Sequence, residues 1–437
     1  MTEAPATAAL ELWEEWPALS ADDRIARFRE LPKHELNDFF LTLDPTEQVA
    51  LVCGLPPAEQ VLWVRLLDPD DAADMIQAAA PDDRPALMEL LDDQTRTEVR
   101  ALLAYAEDDA GGLMSPRFAR IRPDMTVDEA IRYLRKQAGQ VETIYYAYVL
   151  DAQQKLEGVI SFRELFQASG ERPVSEVMHR KVITVPEDLD QEAVGRIWVE
   201  QDLLAIPVVD HDGKMKGIIT FDDIADVVRE EATEDMQKMG GTSALHTPYM
   251  TAGVVELVRK RAGWLSVLLV GEMLTATAMA FYEKQIVALV VLAVFLPLII
   301  SSGGNSGSQA TTLVIRAMAL GEVRLRDWPR VLGRELRVGL ALGTVLGILG
   351  LLRIVVWQSV SGTYGPHYLL LGASVAVSLL GVVMLGTVTG SMLPFVFRRL
   401  GFDPASASAP FVATLVDVTG VIIYFTVATF LLRGTLL

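Results

Sequence analysis

The chain has 437 residues, of which 57 are Asp or Glu and 38 are Lys or Arg, giving a formal net charge of −19. Nucleic acid is excluded as an expected partner, because binding a phosphate backbone requires Lys and Arg to displace counterions. The charge is uneven: residues 1–112 carry a net −17, residues 113–253 a net −8 and residues 254–437 a net +6. The sequence therefore predicts a multidomain protein with an acidic soluble half and a mildly basic, apolar half.

Residues 1–112 contain an internal repeat. A Leu or Ala recurs every 12 residues, at Leu31, Leu43, Leu55, Leu67, Ala79 and Leu91. Two repeats begin with Asp-Pro, a pair typical of the first residues of a helix. Short helices at a fixed period bury their apolar faces against one another, as in a solenoid. We predict an all-α, superhelical N-domain over residues 1–112 with an acidic surface.

Residues 113–235 contain two copies of one unit, 114–169 and 174–235. The run Gly-Val-Ile-Ser-Phe at 158–162 matches Gly-Ile-Ile-Thr-Phe at 217–221. Each copy alternates helical patterns with short β-branched runs, which predicts a βαββα unit. The sequence thus indicates an α/β tandem.

This tandem resembles the CBS pair (the cystathionine-β-synthase-type module), which binds adenine nucleotides between its two halves. The resemblance implies that the Ser/Thr hydroxyl of a Gly-x-x-(Ser/Thr)-x-x-(Asp/Asn) motif contacts phosphate and that the carboxylate holds the ribose. Gly217, Thr220 and Asp223 match this motif. In the first copy Glu164 departs from it. ATP is the candidate regulatory ligand, and the alternative is that the pair only packs and dimerises.

Five apolar stretches in residues 262–437 are long enough to cross a bilayer as helices, which takes about 20 residues. We predict spans at 262–281, 286–315, 336–357, 368–396 and 409–432. Basic residues collect before the first span, between spans two and three, and between spans four and five. Lys and Arg favour the cytoplasmic side. The predicted topology has a cytoplasmic N-terminus and an outside C-terminus in the inner membrane.

Two acidic residues within these spans are candidate pore residues, since an ionisable group costs about 2.5–3.5 kcal/mol at a membrane helix centre and usually lines a pathway. Asp417 lies in the last span, with no basic residue after it before Arg433. Glu272 lies in the first span. For Glu272, pairing with a polar group of a neighbouring helix is nearly as well favoured as a pore role.

Small and polar residues interrupt the second span just after Pro297. The run 301–309 reads Ser-Ser-Gly-Gly-Asn-Ser-Gly-Ser-Gln. This density of Gly predicts a break in the helix that exposes backbone carbonyls to water or protein. The alternative is that the small residues let helices pack closely. The candidate pore-lining residues of this segment are Pro297, Gly303, Gly304, Asn305, Gly307 and Gln309.

The Gly-Gly-Asn-x-Gly-x-Gln run at 303–309 and the Ala-Thr-Leu-x-Asp-Val-Thr-Gly run at 413–420 resemble the MgtE family of Mg²⁺ channels. The resemblance covers nearly the whole chain, and it implies a connecting (plug-type) helix at 236–261 between the tandem and the first span. It implies a homodimer in membrane lipid, with a pore on the two-fold axis and no enzymatic chemistry. Asp417 matches the family's pore aspartate, and Ala413 the residue whose carbonyl helps to frame a hydrated Mg²⁺.

The resemblance also implies that cytosolic Mg²⁺ closes the channel by binding acids between the soluble domains and the connecting helix. Here the segment 240–253 contains no carboxylate, and Ser243, His246 and Thr251 stand where acids are expected. Candidate cytosolic cation ligands are Asp222 and Asp226 in the tandem and Asp70, Asp71 and Asp74 in the N-domain; the alternative is that these acids form solvated helix faces. We expect closure to be weakened or to use other acids, which channel activity measured across millimolar cytosolic Mg²⁺ would test.

The predicted function is therefore Mg²⁺ import down its electrochemical gradient. The alternative is a membrane-anchored nucleotide sensor whose spans only tether it. A tether needs neither an aspartate in the last span nor a polar run in the second. A CLC-type transporter fits less well, since that class carries CBS pairs after the membrane domain.

Overall fold

The computed structural model describes residues 8–201, 203–245, 249–250, 252–433 and 435. One compact unit ends at Glu230 and a second begins at Glu231. The first unit contains the helical N-domain and the tandem, and the second contains the membrane helices.

The N-domain is a stack of short helices, as the 12-residue repeat predicts. Its helices are α1 (Ala8–Glu15), α2 (Ala21–Glu30), α3 (Lys33–Leu41), α4 (Pro45–Gly54), α5 (Pro57–Val64), α6 (Pro69–Ala78), α7 (Arg84–Leu90), α8 (Asp93–Leu102) and α9 (Ala110–Leu113). All six repeat residues are buried. Asp44 caps α4 by accepting a hydrogen bond from the Glu47 backbone N–H, with Pro45 in the first turn. The repeat therefore marks the helix ends that face the core.

Each copy of the tandem contains a three-stranded sheet. The elements are β1 (Arg120–Ile121), α10 (Val127–Gln137), β2 (Tyr146–Leu150), β3 (Leu156–Ser161), α11 (Phe162–Gln167), α12 (Val174–Val177), β4 (Val185–Pro186), α13 (Gln191–Gln201), β5 (Ala205–Val209), β6 (Met215–Thr220) and α14 (Phe221–Met239). In each sheet the first pair of strands is parallel and the second antiparallel. The βαββα prediction is confirmed.

The N-domain and the second tandem copy share one hydrophobic core. Met75 and Ile76 of α6 belong to the same buried cluster as Ile219 and Ile224, at the junction of β6 and α14. This shared core brings the acidic starts of α6 and α14 into one neighbourhood, although about 150 residues separate them in the sequence.

The connection to the membrane unit differs from the predicted helix at 236–261. Helix α14 ends at Met239, and the next helix begins at Val254. Gly241 has a φ of +74°, a left-handed conformation that ends an α-helix. Of the predicted substitutions in this segment, Ser243 lies in non-helical chain, whereas His246 and Thr251 fall outside the described residues.

Five helices of the described chain are long and apolar enough to cross a membrane, as predicted. The helices of this unit are α15 (Val254–Phe281), α16 (Glu283–Ala288), α17 (Val291–Ala319), α18 (Trp328–Ser361), α19 (Tyr368–Arg399) and α20 (Ala409–Leu432). Helix α19 packs against α17, α18 and α20. The last predicted span is correct at both ends. The helix of the first span, α15, begins eight residues before the predicted start at 262, because the charged stretch before the apolar run is also helical.

The predicted break at 301–309 is wrong: α17 is a continuous helix that contains Pro297 and the whole glycine-rich run. The glycines face a neighbouring helix. A Cβ on Gly390 of α19 would lie 2.1 Å from the Gly307 carbonyl oxygen, and one on Gly386 2.3 Å from that of Gly303. Backbone-to-backbone packing of this kind needs glycine on both helices. The alternative interpretation, close helix packing, accounts for Gly303 and Gly307.

Candidate functional site

The first candidate site is on α20, whose start is fixed by Ser408. The Ser408 hydroxyl accepts a hydrogen bond from the Phe411 backbone N–H at 3.4 Å. It also accepts one from Trp264 Nε1 at 3.0 Å, which ties α15 to this end of α20. Asp417 follows two turns later and is half-buried. The carboxylate therefore lies within the membrane-spanning part of the helix.

Glu272 of α15 faces Asp417. The two carboxyl groups are within hydrogen-bonding reach of one another. Close approach of the helices is possible because a Cβ at the neighbouring Gly271 would lie only 2.6 Å from Thr414 Cγ2. Two adjacent carboxylates repel when both are ionised, and a cation or a shared proton relieves that repulsion. The sequence named both residues separately, and the structure brings them together.

Helix α17 approaches α20 one turn before Asp417. The ideal Cβ position of Gly304 is 3.6 Å from Ala413 Cα. This short distance leaves the Ala413 backbone beside α17, next to the residues that the sequence assigned to the pore. That distance is an ordinary van der Waals contact, so α17 packs beside Ala413 without requiring glycine at position 304.

The polar residues of the α17 run lie on a different face from its packed glycines. Ser301, Asn305 and Gln309 recur every four residues and are all exposed on the protomer. Asn305 Nδ2 is 3.5 Å from Ser301 Oγ. A polar stripe of this kind is costly against lipid and is usually turned towards water or another protein surface. The predicted motif therefore divides into a packing face and a polar face.

The second candidate site is acidic and lies between the N-domain and the tandem. Asp70 of α6 is only 5% exposed, and its Oδ1 atom has no hydrogen-bond partner among the described residues. Burial, followed by the Asp223, Glu142 and Asp71 carboxylates, raises the pKa of Asp70 well above its usual value. A buried, unpaired carboxylate in such surroundings favours either a proton or a bound cation.

The neighbouring acids respond to the same crowding. Asp71 is exposed and Asp74 half-buried, yet desolvation and nearby carboxylates raise the pKa of Asp71 to about 7 and that of Asp74 to about 8. For Asp223 of α14, burial raises the pKa to about 6 although the Thr220 hydroxyl stabilises the ionised form. The alternative prediction, that these acids form solvated helix faces, is wrong for Asp70.

Glu142 is an acid of this cluster that the sequence did not single out. Burial, followed by the Asp68 carboxylate, raises its pKa to about 8. It lies in the irregular segment between α10 and β2, where no helical or strand pattern marks it. Only the tertiary fold brings it to α6, so the sequence offered no signal for it.

The two remaining predicted ligands lie at the edge of the cluster. Asp222 and Asp226 are exposed. Asp222 Oδ1 lies 2.5 Å from the Thr220 hydroxyl oxygen and competes with Asp223 for its single proton. Asp226 pairs with Arg229 at 3.1 Å. Within the described residues, no group of three carboxylate, imidazole or thiol side chains is already arranged as a metal site.

The predicted nucleotide residues are engaged with one another. The Thr220 hydroxyl donates to Asp223 Oδ2 at 2.5 Å, and the Thr220 backbone N–H donates to the same atom at 3.1 Å. These bonds link the last residue of β6 to the first turn of α14. Gly217 has a packing role, because a Cβ there would lie 2.6 Å from the Ser115 carbonyl oxygen.

The first copy repeats this arrangement with its longer acid. Ser161 and Glu164 form a capping box at the start of α11. The other Glu164 oxygen lies 2.6 Å from His179 Nε2. The Ser/Thr-x-x-acid spacing therefore stabilises a helix start in both copies. Of the two motif acids, Asp223 of the second copy is the one that belongs to the cluster around Asp70.

Comparison with known proteins gives matches along almost the whole chain. Family models match at residues 7–108 (MgtE intracellular N domain), at 110–171 and 174–230 (CBS domain) and at 296–427 (MgtE, divalent cation transporter). The magnesium transporter MgtE of Thermus thermophilus is 45% identical over 348 residues, which cover 80% of this chain and 75% of that protein. The magnesium transporter MgtE of Enterococcus faecalis is 35% identical, covering 77% and 72%.

Among solved structures, the cytosolic domain of the Mg²⁺ channel MgtE in complex with ATP is 40% identical, with a TM-score of 0.48. It covers 51% of this chain and 91% of that one. The family matches cover the helical N-domain, the CBS tandem and most of the membrane unit, from within α17 to within α20. The chain belongs to the MgtE family of divalent cation transporters, whose relatives are magnesium transporters.

Proposed function

We propose that this protein is a Mg²⁺ channel whose pore lies on the two-fold axis of a homodimer and contains Asp417 from each protomer. The observation that carries the proposal is the pair formed by the carboxyl groups of Asp417 and Glu272 within the membrane-spanning helices. The exposed polar stripe of α17 supports it, since that face needs water or a second protomer to satisfy its side chains.

The ion passes Asp417 with most of its water. Mg²⁺ gives up its hydration shell reluctantly and usually keeps several water ligands when it binds to proteins. One aspartate and one backbone carbonyl, at Ala413, from each protomer are too few to replace that shell. They can accept hydrogen bonds from the waters of the hydrated ion. Glu272, beside Asp417, adds negative charge that favours a divalent cation.

Entry is driven by the gradient and the membrane potential, with no covalent chemistry. The proposed topology has a cytoplasmic N-terminus and an outside C-terminus, since the Arg-rich connections lie on the side where the first span begins. A potential of 100 mV, negative inside, favours entry of a doubly charged ion by about 4–5 kcal/mol.

The cytosolic acids regulate the pore. Cytosolic Mg²⁺ replaces the protons of the cluster around Asp70, Asp74 and Asp223, with Asp222 and Asp226 as outer ligands. ATP is the proposed second ligand, at Gly217, Thr220 and Asp223. A nucleotide bound there competes for the groups that now form the hydrogen bonds from Thr220 to Asp223. Because Asp223 belongs to both sites, the two ligands influence one another.

Mg²⁺ uptake by cells that depend on it tests the proposal. Mg²⁺-auxotrophic cells carrying the wild-type protein should grow at low Mg²⁺, and cells carrying Asp417→Ala should not. The reason is that the substitution removes the only carboxylate of α20. Protein amount in the membrane is measured alongside growth, so that poor expression is not mistaken for a closed pore.

The matched control is Glu283→Gln, which removes an acid from the exposed connection between α15 and α17. Growth with this variant should equal that of the wild type. Equal growth with Asp417→Ala would rule out the pore role and favour a membrane-anchored sensor.

A further inference from the structure

A basic, open pocket is formed by the connection that follows α17 and by the first turns of α18. Its volume is about 460 Å³ and its lining includes four arginines: Arg324, Arg326, Arg330 and Arg334. All four are exposed. The proposed ion path uses none of them, and a concentration of positive charge is unfavourable near a cation pathway unless an anion offsets it.

The acids in the pocket do not neutralise these arginines. Glu322 and Asp327 are the acidic residues of its lining. Asp327 is already engaged: Oδ2 accepts from the Arg324 backbone N–H and Oδ1 from Arg330 Nη1, both at 3.1 Å. Among the described residues, neither Arg326 nor Arg334 forms a direct side-chain ion pair, although Arg334 interacts electrostatically with Glu335, which is outside the pocket lining. The pocket thus has an excess of guanidinium donors.

The start of α18 does not itself offer free backbone donors to an anion. A 3-10 turn, Leu325–Asp327, runs directly into Trp328, Pro329 has no backbone N–H, and the Asp327 carboxylate accepts from the Arg324 backbone N–H. The anion selectivity of the pocket therefore comes from its arginines. Guanidinium groups bind phosphate oxygens in pairs, which a lysine cannot do.

The surroundings of the pocket are apolar. Val323 and Val331 pack on a buried cluster that contains Met318 and Phe395, at the ends of α17 and α19. Trp328 is half exposed on the flank. A tryptophan beside arginines at the end of a membrane helix is typical of the lipid headgroup level. The ligand that fits has an anionic head and an apolar tail.

We propose that this pocket binds the phosphate of an anionic phospholipid headgroup at the cytoplasmic surface. The proposal relies on the topology given under the proposed function, and not on the pore role of Asp417. Basic pockets between membrane helices on the cytoplasmic side bind such headgroups. The lipid rather than soluble phosphate is the source, since the apolar flank of the pocket can hold acyl chains.

Thermal unfolding of the full chain, purified in neutral detergent, tests the proposal. Midpoints are measured against added phosphatidylglycerol, phosphatidylcholine or inorganic phosphate. Phosphatidylglycerol should raise the midpoint in a saturable way, and phosphatidylcholine should not. Arg326→Gln/Arg334→Gln should weaken the apparent affinity by about 25-fold, because each basic residue near an anionic lipid contributes about fivefold. Arg326→Lys/Arg334→Lys, which keeps the charge, should lose much less.

The matched control is Arg259→Gln/Arg261→Gln. It removes two arginines near the start of α15, which is also cytoplasmic in the proposed topology, but outside the pocket. It should change the affinity by less than about twofold. An undiminished response in Arg326→Gln/Arg334→Gln would overturn the site, provided that its midpoint without lipid shows it to be folded. An equal shift with inorganic phosphate would overturn the lipid assignment. Asp417→Ala should retain the full response to phosphatidylglycerol. Failure of the pore proposal can therefore be distinguished from failure of the lipid-site proposal.

Discussion

At the scale of single residues, the carboxyl groups of Asp417 and Glu272 interact within the membrane-spanning helices, where each would be costly alone. Asp417 and Glu272 stood out in the sequence because they are acids within apolar spans. Their contact was not predictable, since it depends on the close packing of α15 on α20 at Gly271. Glu142 was not predicted, because acids are common in the soluble half and only the tertiary fold places this one in the cluster around Asp70.

The cytosolic acids make the stability of the soluble unit depend on pH. Asp71, Asp74 and Glu142 have pKa values of about 7 to 8 in the folded protein, well above their ordinary values near 4. The folded state therefore holds protons that the unfolded state has lost. The associated stability is fully present below about pH 4 and is lost as pH rises towards 8. A divalent cation can replace those protons.

We expect Mg²⁺ to raise the free energy of unfolding of fragment 1–239 more at pH 8 than at pH 5.5, because ionised carboxylates bind it and protonated ones do not. Asp74→Asn should raise the metal-free stability at pH 8 by roughly 1–2 kcal/mol, within the usual range for relieving a crowded buried charge. The same variant should reduce the Mg²⁺ response. Urea denaturation followed by circular dichroism measures both effects.

The control is Asp82→Asn, which removes an exposed acid of the same domain. Its Mg²⁺ response should match the wild type. A Mg²⁺ effect of the same size at both pH values would contradict the assignment of a cation site to these acids.

At the scale of helices, the number of elements was predictable and some of their ends were not. Hydropathy predicts five spans, because about 20 apolar residues are needed to cross a bilayer. It does not locate the start of α15, since a helix can continue into charged sequence outside the lipid. In α17, glycine content suggested a break. Packing against the α19 backbone outweighs the low helix propensity of those glycines.

Substitution at the α17–α19 contact tests this packing. Gly390→Ala should destabilise the membrane unit, because its Cβ would lie 2.1 Å from the Gly307 carbonyl oxygen and would force the helices apart. We expect a loss of about 1–3 kcal/mol, typical of overpacking, seen as a lower thermal midpoint in detergent.

The paired control is Gly263→Ala on α15, where a Cβ would meet no other atom within 4 Å. That change should leave stability unchanged or raise it by up to about 1 kcal/mol, since Ala favours helix over Gly. If both variants had equal midpoints, close glycine packing would not explain the continuous helix.

At the scale of the whole molecule, the order of the domains could be predicted from the sequence, whereas only some of the candidate pore residues could. Charge, the 12-residue repeat and hydropathy separated the N-domain, tandem and membrane helices, because each depends on a local pattern. The polar face of α17 and the carboxylate pair became visible only in the folded protomer. Both need something beyond a single chain in lipid, which is the physical reason for proposing a pore between two protomers.

The most direct measurement is Mg²⁺ flux into liposomes that contain the purified protein, an internal Mg²⁺-sensitive dye and an imposed potassium-diffusion potential. If the protein is a Mg²⁺ channel with Asp417 in its pore, we expect an influx that increases as the interior becomes more negative. We also expect that Asp417→Asn, which keeps the size of the side chain and removes its charge, abolishes the influx. Influx of equal size with Asp417→Asn, or influx indifferent to the potential, would contradict the proposal.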